Sequence, residues 1–321
     1  MSTIKNQKRK VHKSIDIMNY YHSGISSNNS SYSRAGFDGG LSYFTSDRKI
    51  SLLDNGQRID GKELKGYGLE IEAQCWSIND SNVLTTILKQ FVYKLFPYGL
   101  FKIERDSSIV SNCESSCESV SQVMTKEFIR NHYADFRAMF ILFNQLDISC
   151  SRTGNCGMHI NISNALFGNN KKTQLENVKK LYYLINKHYD IFCELYQRIC
   201  INYCGKMEEN ISIDKAKNMT RYFQNDRSFN PHRYCINFTH FEDGRIELRL
   251  PSGQDNGEDF VDTMELTFHL VKAVNSLSWN DLDNLEEVFK GCNLNVVRRL
   301  KRYFGSQFIN SIISTNNGMM Y

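Results

Sequence analysis

The feature that most constrains this chain is the way its strand-like segments alternate. In RIELRLPSG, residues 245–253, Arg245, Glu247 and Arg249 fall at every second position, and Ile246, Leu248 and Leu250 fill the positions between. Side chains of a strand point to opposite faces in turn, so each set owns one face. The same pattern recurs upstream. In GLEIEAQ, Glu70 and Glu72 stand against Leu69, Ile71 and Ala73. In CGMHINIS, His159, Asn161 and Ser163 stand against Met158, Ile160 and Ile162. FKIERD gives a less regular set, with Lys102, Glu104 and Asp106 against Phe101, Ile103 and Arg105. Strands of a parallel sheet are covered on both faces and read as continuous apolar runs, which these do not. The pattern asks for a mostly antiparallel sheet with one open polar face.

Helical segments separate these strands. DSNVLTTILKQFVYKLF has apolar residues at helical spacing behind an Asp-Ser cap. TKEFIRNHYADFRAMFILFNQL reads as one amphipathic helix capped by Thr125, with Glu127 in its first turn. TQLENVKKLYYLINKHYDIFCELYQRI reads as a long helix, and EDFVDTMELTFHLVKAVNSL as another. The fold class expected is α+β, with helices on the apolar side of the sheet.

HRYCINFTHFEDGRIELRLPSG reads as a hairpin whose register can be reasoned out. A two-residue Asp243-Gly244 loop would set Phe238 opposite Arg249 and His240 opposite Glu247, mixing apolar and charged groups on one face. A three-residue loop over Glu242–Gly244, with Gly244 in the left-handed position, pairs Ile236 with Leu250 and Phe238 with Leu248. It then pairs Asn237 with Arg249 and Thr239 with Glu247. Burial selects this second register, because a slip of one residue exchanges the faces.

Several classes are excluded or disfavoured. No run of 18 apolar residues is present, so no membrane span is expected. The N-terminus is basic with no apolar stretch after it, unlike a secretory signal. The ten cysteines therefore read as thiols of a cytoplasmic protein, and none sits in a C-x-x-C pair. Of the basic residues behind the net charge of +4, Lys5, Lys8, Arg9, Lys10 and Lys13 crowd the first turns of the chain with no acid among them. The remainder is near neutral. Residues 1–45, rich in Ser, Asn and Gly, form an expected flexible extension, able to touch an acidic surface or nucleic acid. Residues 46–321 form the expected folded domain.

Paired glutamates, a histidine and an Arg-Glu-Arg row are an unusual choice for a merely wet sheet face. Carboxylates repel one another unless a cation lies among them. Carboxylate oxygens suit Mg²⁺ or Mn²⁺, an imidazole can join them, and arginine matches phosphate. His132, His188 and His269 fall in helical segments and read as packing or surface residues. His240 sits near the hairpin tip. Cys156 has no activating partner nearby in sequence and reads as a small buried residue.

Taken in order, GLEIE, DSSI, CESVSQVM, CGMHINIS and YCINFTHFEDGRIELRLPSG resemble the amidoligases of the carboxylate-amine ligase superfamily, which includes glutamine synthetase and glutamate-cysteine ligase. The resemblance covers roughly residues 66–275. It implies a curved, glutamine synthetase-like sheet that holds ATP and divalent cations, Mg²⁺ or Mn²⁺, on its concave face. It also implies amide formation between a carboxylate and an amine, carried by small molecules, peptides or proteins, through an acyl phosphate. By the same resemblance Glu70, Glu72, Glu118, His159 and Glu247 are metal ligands, Arg249 faces phosphate, and Asp106 belongs to a D-x-S element that contacts metal or substrate. Arg221 and Arg233 are further candidates for phosphate or carboxylate. Two positions depart from the family. Asn161 stands where a second histidine is usual, and Gln122 where proline often follows. The alternatives are a non-catalytic binding protein with this fold and a metal-dependent nuclease aided by the basic extension.

Overall fold

The computed structural model describes residues 50–52, 58–60, 65–96, 100–105, 109, 115–151, 154, 156–199, 204–220, 223 and 230–314. The expected extension, Asp106 and Arg221 lie outside the described residues. The chain divides into two compact units. The first takes residues up to Asn161 together with Gly253–Gly257, and the second takes Ile162–Ser252 and Glu258 onward.

The first unit holds strands β1 (Ile50–Leu52), β2 (Arg58–Asp60), β3 (Tyr67–Cys75), β4 (Phe101–Glu104), β5 (Ser115–Ser121), β6 (Val123–Met124) and β7 (Ile148–Ser149). Strand β8 (Met158–Ser163) begins there and ends in the second unit. β3 is the hub: β5, β6 and β7 all pair with it antiparallel, and β4 extends the sheet from β5. The β1–β6 pair is parallel. Ile71 lies opposite Ser119, which lies opposite Ile103, and this row faces the helices. Helix α1 (Ser81–Leu95) covers it, with Leu84, Leu88 and Val92 fully buried at four-residue intervals. Asp80 caps this helix, accepting from the Asn82 N–H at 2.7 Å. Phe96, Phe101 and Phe136 form an aromatic cluster in the same layer, with centroids 4.8–6.2 Å apart.

The segment expected as one helix after Thr125 is two, α2 (Lys126–Asn131) and α3 (Tyr133–Gln145). Thr125 does cap the first, accepting from the Phe128 N–H at 3.0 Å. His132 makes the break. Its N–H is shared between the carbonyls of Phe128 and Ile129, and its own carbonyl accepts from Asp135 and Phe136 to start the next helix. The apolar spacing continues across the joint, so the pattern alone hides it.

In the second unit the long helix expected after Thr173 is also divided. Helix α4 (Lys171–Lys187) ends at His188, and α5 (Tyr189–Leu195) begins there. Helix α6 (Ile213–Lys217) lies against α4. Strands β9 (Ile236–Asn237) and β10 (Arg245–Leu248) form the hairpin, followed by α7 (Gly257–Ser276), whose residues from Glu258 belong to this unit. Helices α8 (Leu285–Phe289), α9 (Leu294–Leu300) and α10 (Ser306–Ser314) close the unit. No helix among the described residues is long and apolar enough to cross a membrane.

The hairpin register differs from the one expected. Asn237 lies opposite Glu247 and Ile236 opposite Leu248, which is two residues from the reasoned pairing. The loop is longer than three residues, and Gly244 adopts a φ of 97° in it. A two-residue shift leaves every side chain on its expected face, so the face assignment survives the error.

Candidate metal centre

The first unit brings several of the expected residues together. Glu70 and Glu72 project from β3 on the face away from α1, because Leu69, Ile71 and Ala73 fill the core face with no exposure. In the paired strand β5, Glu118 lies opposite Glu72, and the β4 position opposite Glu118 is Glu104. Directly opposed residues of an antiparallel pair share a face, so Glu118 stands beside Glu72 on the polar side. The next row runs from Glu70 through Val120 to Lys102, a buried cation on the same face as the carboxylates.

His159 lies among the glutamates. Its Nδ1 is 3.3 Å from Glu70 Oε2, and its Nε2 is 3.8 Å from Glu72 Oε1. Glu72 is fixed by the start of β8: Gly157 N–H donates to Glu72 Oε2 at 2.6 Å, and the Glu72 N–H donates to the Gly157 carbonyl at 3.2 Å. Asn161 Nδ2 donates to Glu70 Oε1 at 2.8 Å. Two carboxylates with an imidazole between them offer the oxygen and nitrogen donors a divalent cation takes, so the residues present fit such an ion.

In the second unit, Glu247 on β10 is held at both oxygens. Asn237 Nδ2 donates to Oε2 at 2.8 Å, and Arg249 Nη1 pairs with Oε1 at 2.5 Å. The face assignment for Glu247 and Arg249 is thus as expected. Arg233 is exposed, in a short 3₁₀ turn over Pro231–Arg233.

The polar face is not open in the way the sequence suggested. Glu118, His159, Asn161, Ser163, Arg245, Glu247 and Arg249 are all buried. Buried charges of this kind are costly unless paired or bound, and Glu247 and Arg249 pair with each other.

Three other described histidines are accounted for locally. His132 stacks on Phe128 with its Nδ1 2.8 Å from the Phe128 carbonyl, and His269 places Nε2 2.7 Å from the Val288 carbonyl. His240 pairs with Asp243 at 3.0 Å. The eight described cysteines are buried, and no disulfide joins any two of them. Burial pushes the thiols of Cys150 and Cys235 well above their ordinary range.

Residue type and spacing singled out Glu70, Glu72 and His159, which the structure brings near one another. They did not reveal the two asparagines that hold carboxylates. Asn161 was visible as a same-face neighbour of His159, and Asn237 as a hairpin residue, but neither spacing names a partner.

Scans against models of known protein families and against curated proteins give no match.

Proposed function

We propose that this protein is an ATP-dependent carboxylate-amine ligase of the amidoligase kind, built on a glutamine synthetase-like sheet and working with Mg²⁺ or Mn²⁺. The observation that carries the reading is His159 standing between Glu70 and Glu72, at 3.3 and 3.8 Å, on a polar strand face. In this reading Glu70, Glu72 and His159 offer ligand atoms to a divalent cation, with Glu118 adjoining Glu72, and Glu247 of the second unit is a further carboxylate assigned to metal. Such a cation would neutralise phosphate oxygens and lower the charge cost of phosphoryl transfer. The chain's own groups do the rest. Glu72 is braced by a backbone N–H, so its carboxylate is oriented before any ligand arrives. In the second unit Arg249 pairs with Glu247 and supplies a guanidinium to meet the anionic group that is transferred. In the first unit Lys102 is a buried cation on the Glu70 and Glu72 face, suited to a substrate carboxylate.

Hydroxylamine traps activated carboxylates, which makes it a general stand-in for the unknown amine. The protein, incubated with Mg·ATP, hydroxylamine and pooled amino acids or short acidic peptides, should yield hydroxamate and release ADP and phosphate. Glu72→Gln should lose at least about a hundredfold of that rate, the scale of removing one preorganised electrostatic group. Equal turnover by wild type and variant contradicts the site assignment.

A further inference from the structure

One candidate ligand carboxylate of the first unit, Glu70, is held by a buried asparagine amide. Asn161 is 1% exposed, and its Nδ2 lies 2.8 Å from Glu70 Oε1. An ionised carboxylate only accepts, so the nitrogen end of the amide must face it.

We infer that Asn161 determines the cation selectivity of the first-unit site, holding Glu70 to one-oxygen presentation and so favouring Mg²⁺ or Mn²⁺ over Ca²⁺. The inference rests on the proposed metal site. Ca²⁺ takes six to eight oxygens at about 2.3–2.6 Å and readily accepts both oxygens of a carboxylate, whereas Mg²⁺ demands a near-octahedral set at about 2.0–2.1 Å. Two-oxygen coordination requires the carboxylate to rotate until both oxygens face the ion. The amide clamp opposes that rotation by tying one oxygen down. An amide also does this without a positive charge that would compete with the incoming cation, as a lysine in its place would. At Glu70 the untied oxygen, Oε2, is the one that faces His159.

The test is a pair of calorimetric titrations, Mn²⁺ and Ca²⁺, on the full chain. Wild type is compared with Asn161→Ala and the near-isosteric, uncharged Asn161→Leu, which keeps the side-chain size but removes the donor. Far-ultraviolet circular dichroism confirms that each variant is folded. Loss of an outer partner of a ligand costs about 10–100-fold in metal affinity. Mn²⁺ binding should weaken by that factor while Ca²⁺ binding weakens less or strengthens, so that the Mn²⁺-to-Ca²⁺ affinity ratio falls. If both ions weaken by the same factor, or neither changes, Asn161 is structural and the inference is wrong while the metal site stands. A folded wild type that binds neither ion removes the metal site and this inference with it.

Discussion

Gly253→Ala is the substitution whose outcome the structure fixes most firmly. An ideal Cβ on Gly253 would lie 1.7 Å from the carbonyl oxygen of Cys150 and 2.5 Å from its carbonyl carbon. Real Cβ atoms essentially never approach a neighbour closer than 3.0 Å, so one of the two backbones must move by more than an ångström. Neither is free to do so. The Cys150 N–H donates to Asp255 Oδ1 at 2.7 Å, and the carboxylate also accepts from Ser149 Oγ and Ser151 Oγ. Gly253 N–H itself donates to the Cys156 carbonyl at 3.3 Å, one residue before the Gly157 N–H that braces Glu72. Overpacking a rigid site costs about 1–3 kcal/mol, and a clash between two anchored backbones belongs at or above the top of that range. We expect a loss of about 3 kcal/mol or more, read from the urea midpoint at unchanged m-value. Gly305→Ala is the control, since its Cβ would meet nothing within 4 Å. It should change stability by less than about 1 kcal/mol. A loss below about 1 kcal/mol for Gly253→Ala would refute the close approach and the anchoring argument together.

Other perturbations should behave as follows. Thr125→Ala removes the side-chain acceptor of the Phe128 N–H and should cost about 1 kcal/mol in a denaturant melt, with Thr125→Ser recovering most of it. Burial holds both His188 and His240 below the ordinary histidine value, so the unfolded chain takes up more protons once the pH drops below about 6.5. Stability should therefore fall between pH 7.5 and pH 5.5, and His188→Gln should make that fall shallower. An unchanged slope in the variant would contradict the buried neutral form. Phe136→Ala should cost about 3–5 kcal/mol, because the ring is fully buried against Phe96 and Phe101.

How much of this was legible in the sequence depends on the periodicity involved. Alternation with period two assigns faces, and every face assigned to Glu70, Glu72, His159, Glu247 and Arg249 holds in the structure. The same periodicity cannot separate registers that differ by two residues. The hairpin pairs Asn237 with Glu247 where Thr239 was the expected partner, yet both arrangements bury Ile236 and Leu248 equally. Helical spacing has a similar blind spot. It continues through His132 and His188, where backbone angles leave the helical region for a single residue while apolar positions keep step. Caps are local chemistry between neighbours, so Asp80 and Thr125 were readable directly. Partners far apart in sequence were not. Asn161 and Glu70 are separated by 91 positions, and nothing in either segment names the other. The burial of the polar face was hidden for the same reason, since alternation shows which side a residue faces and not what covers it.

The central claim, a site for metal and nucleotide on the carboxylate-bearing strands, is tested most directly by titrating Mg·ATP into the folded wild type and Glu247→Gln side by side in a calorimeter. The account predicts saturable binding by the wild type that is lost or weakened at least tenfold in the variant. A folded wild type that takes up no Mg·ATP, or a variant that binds it equally well, would contradict the account.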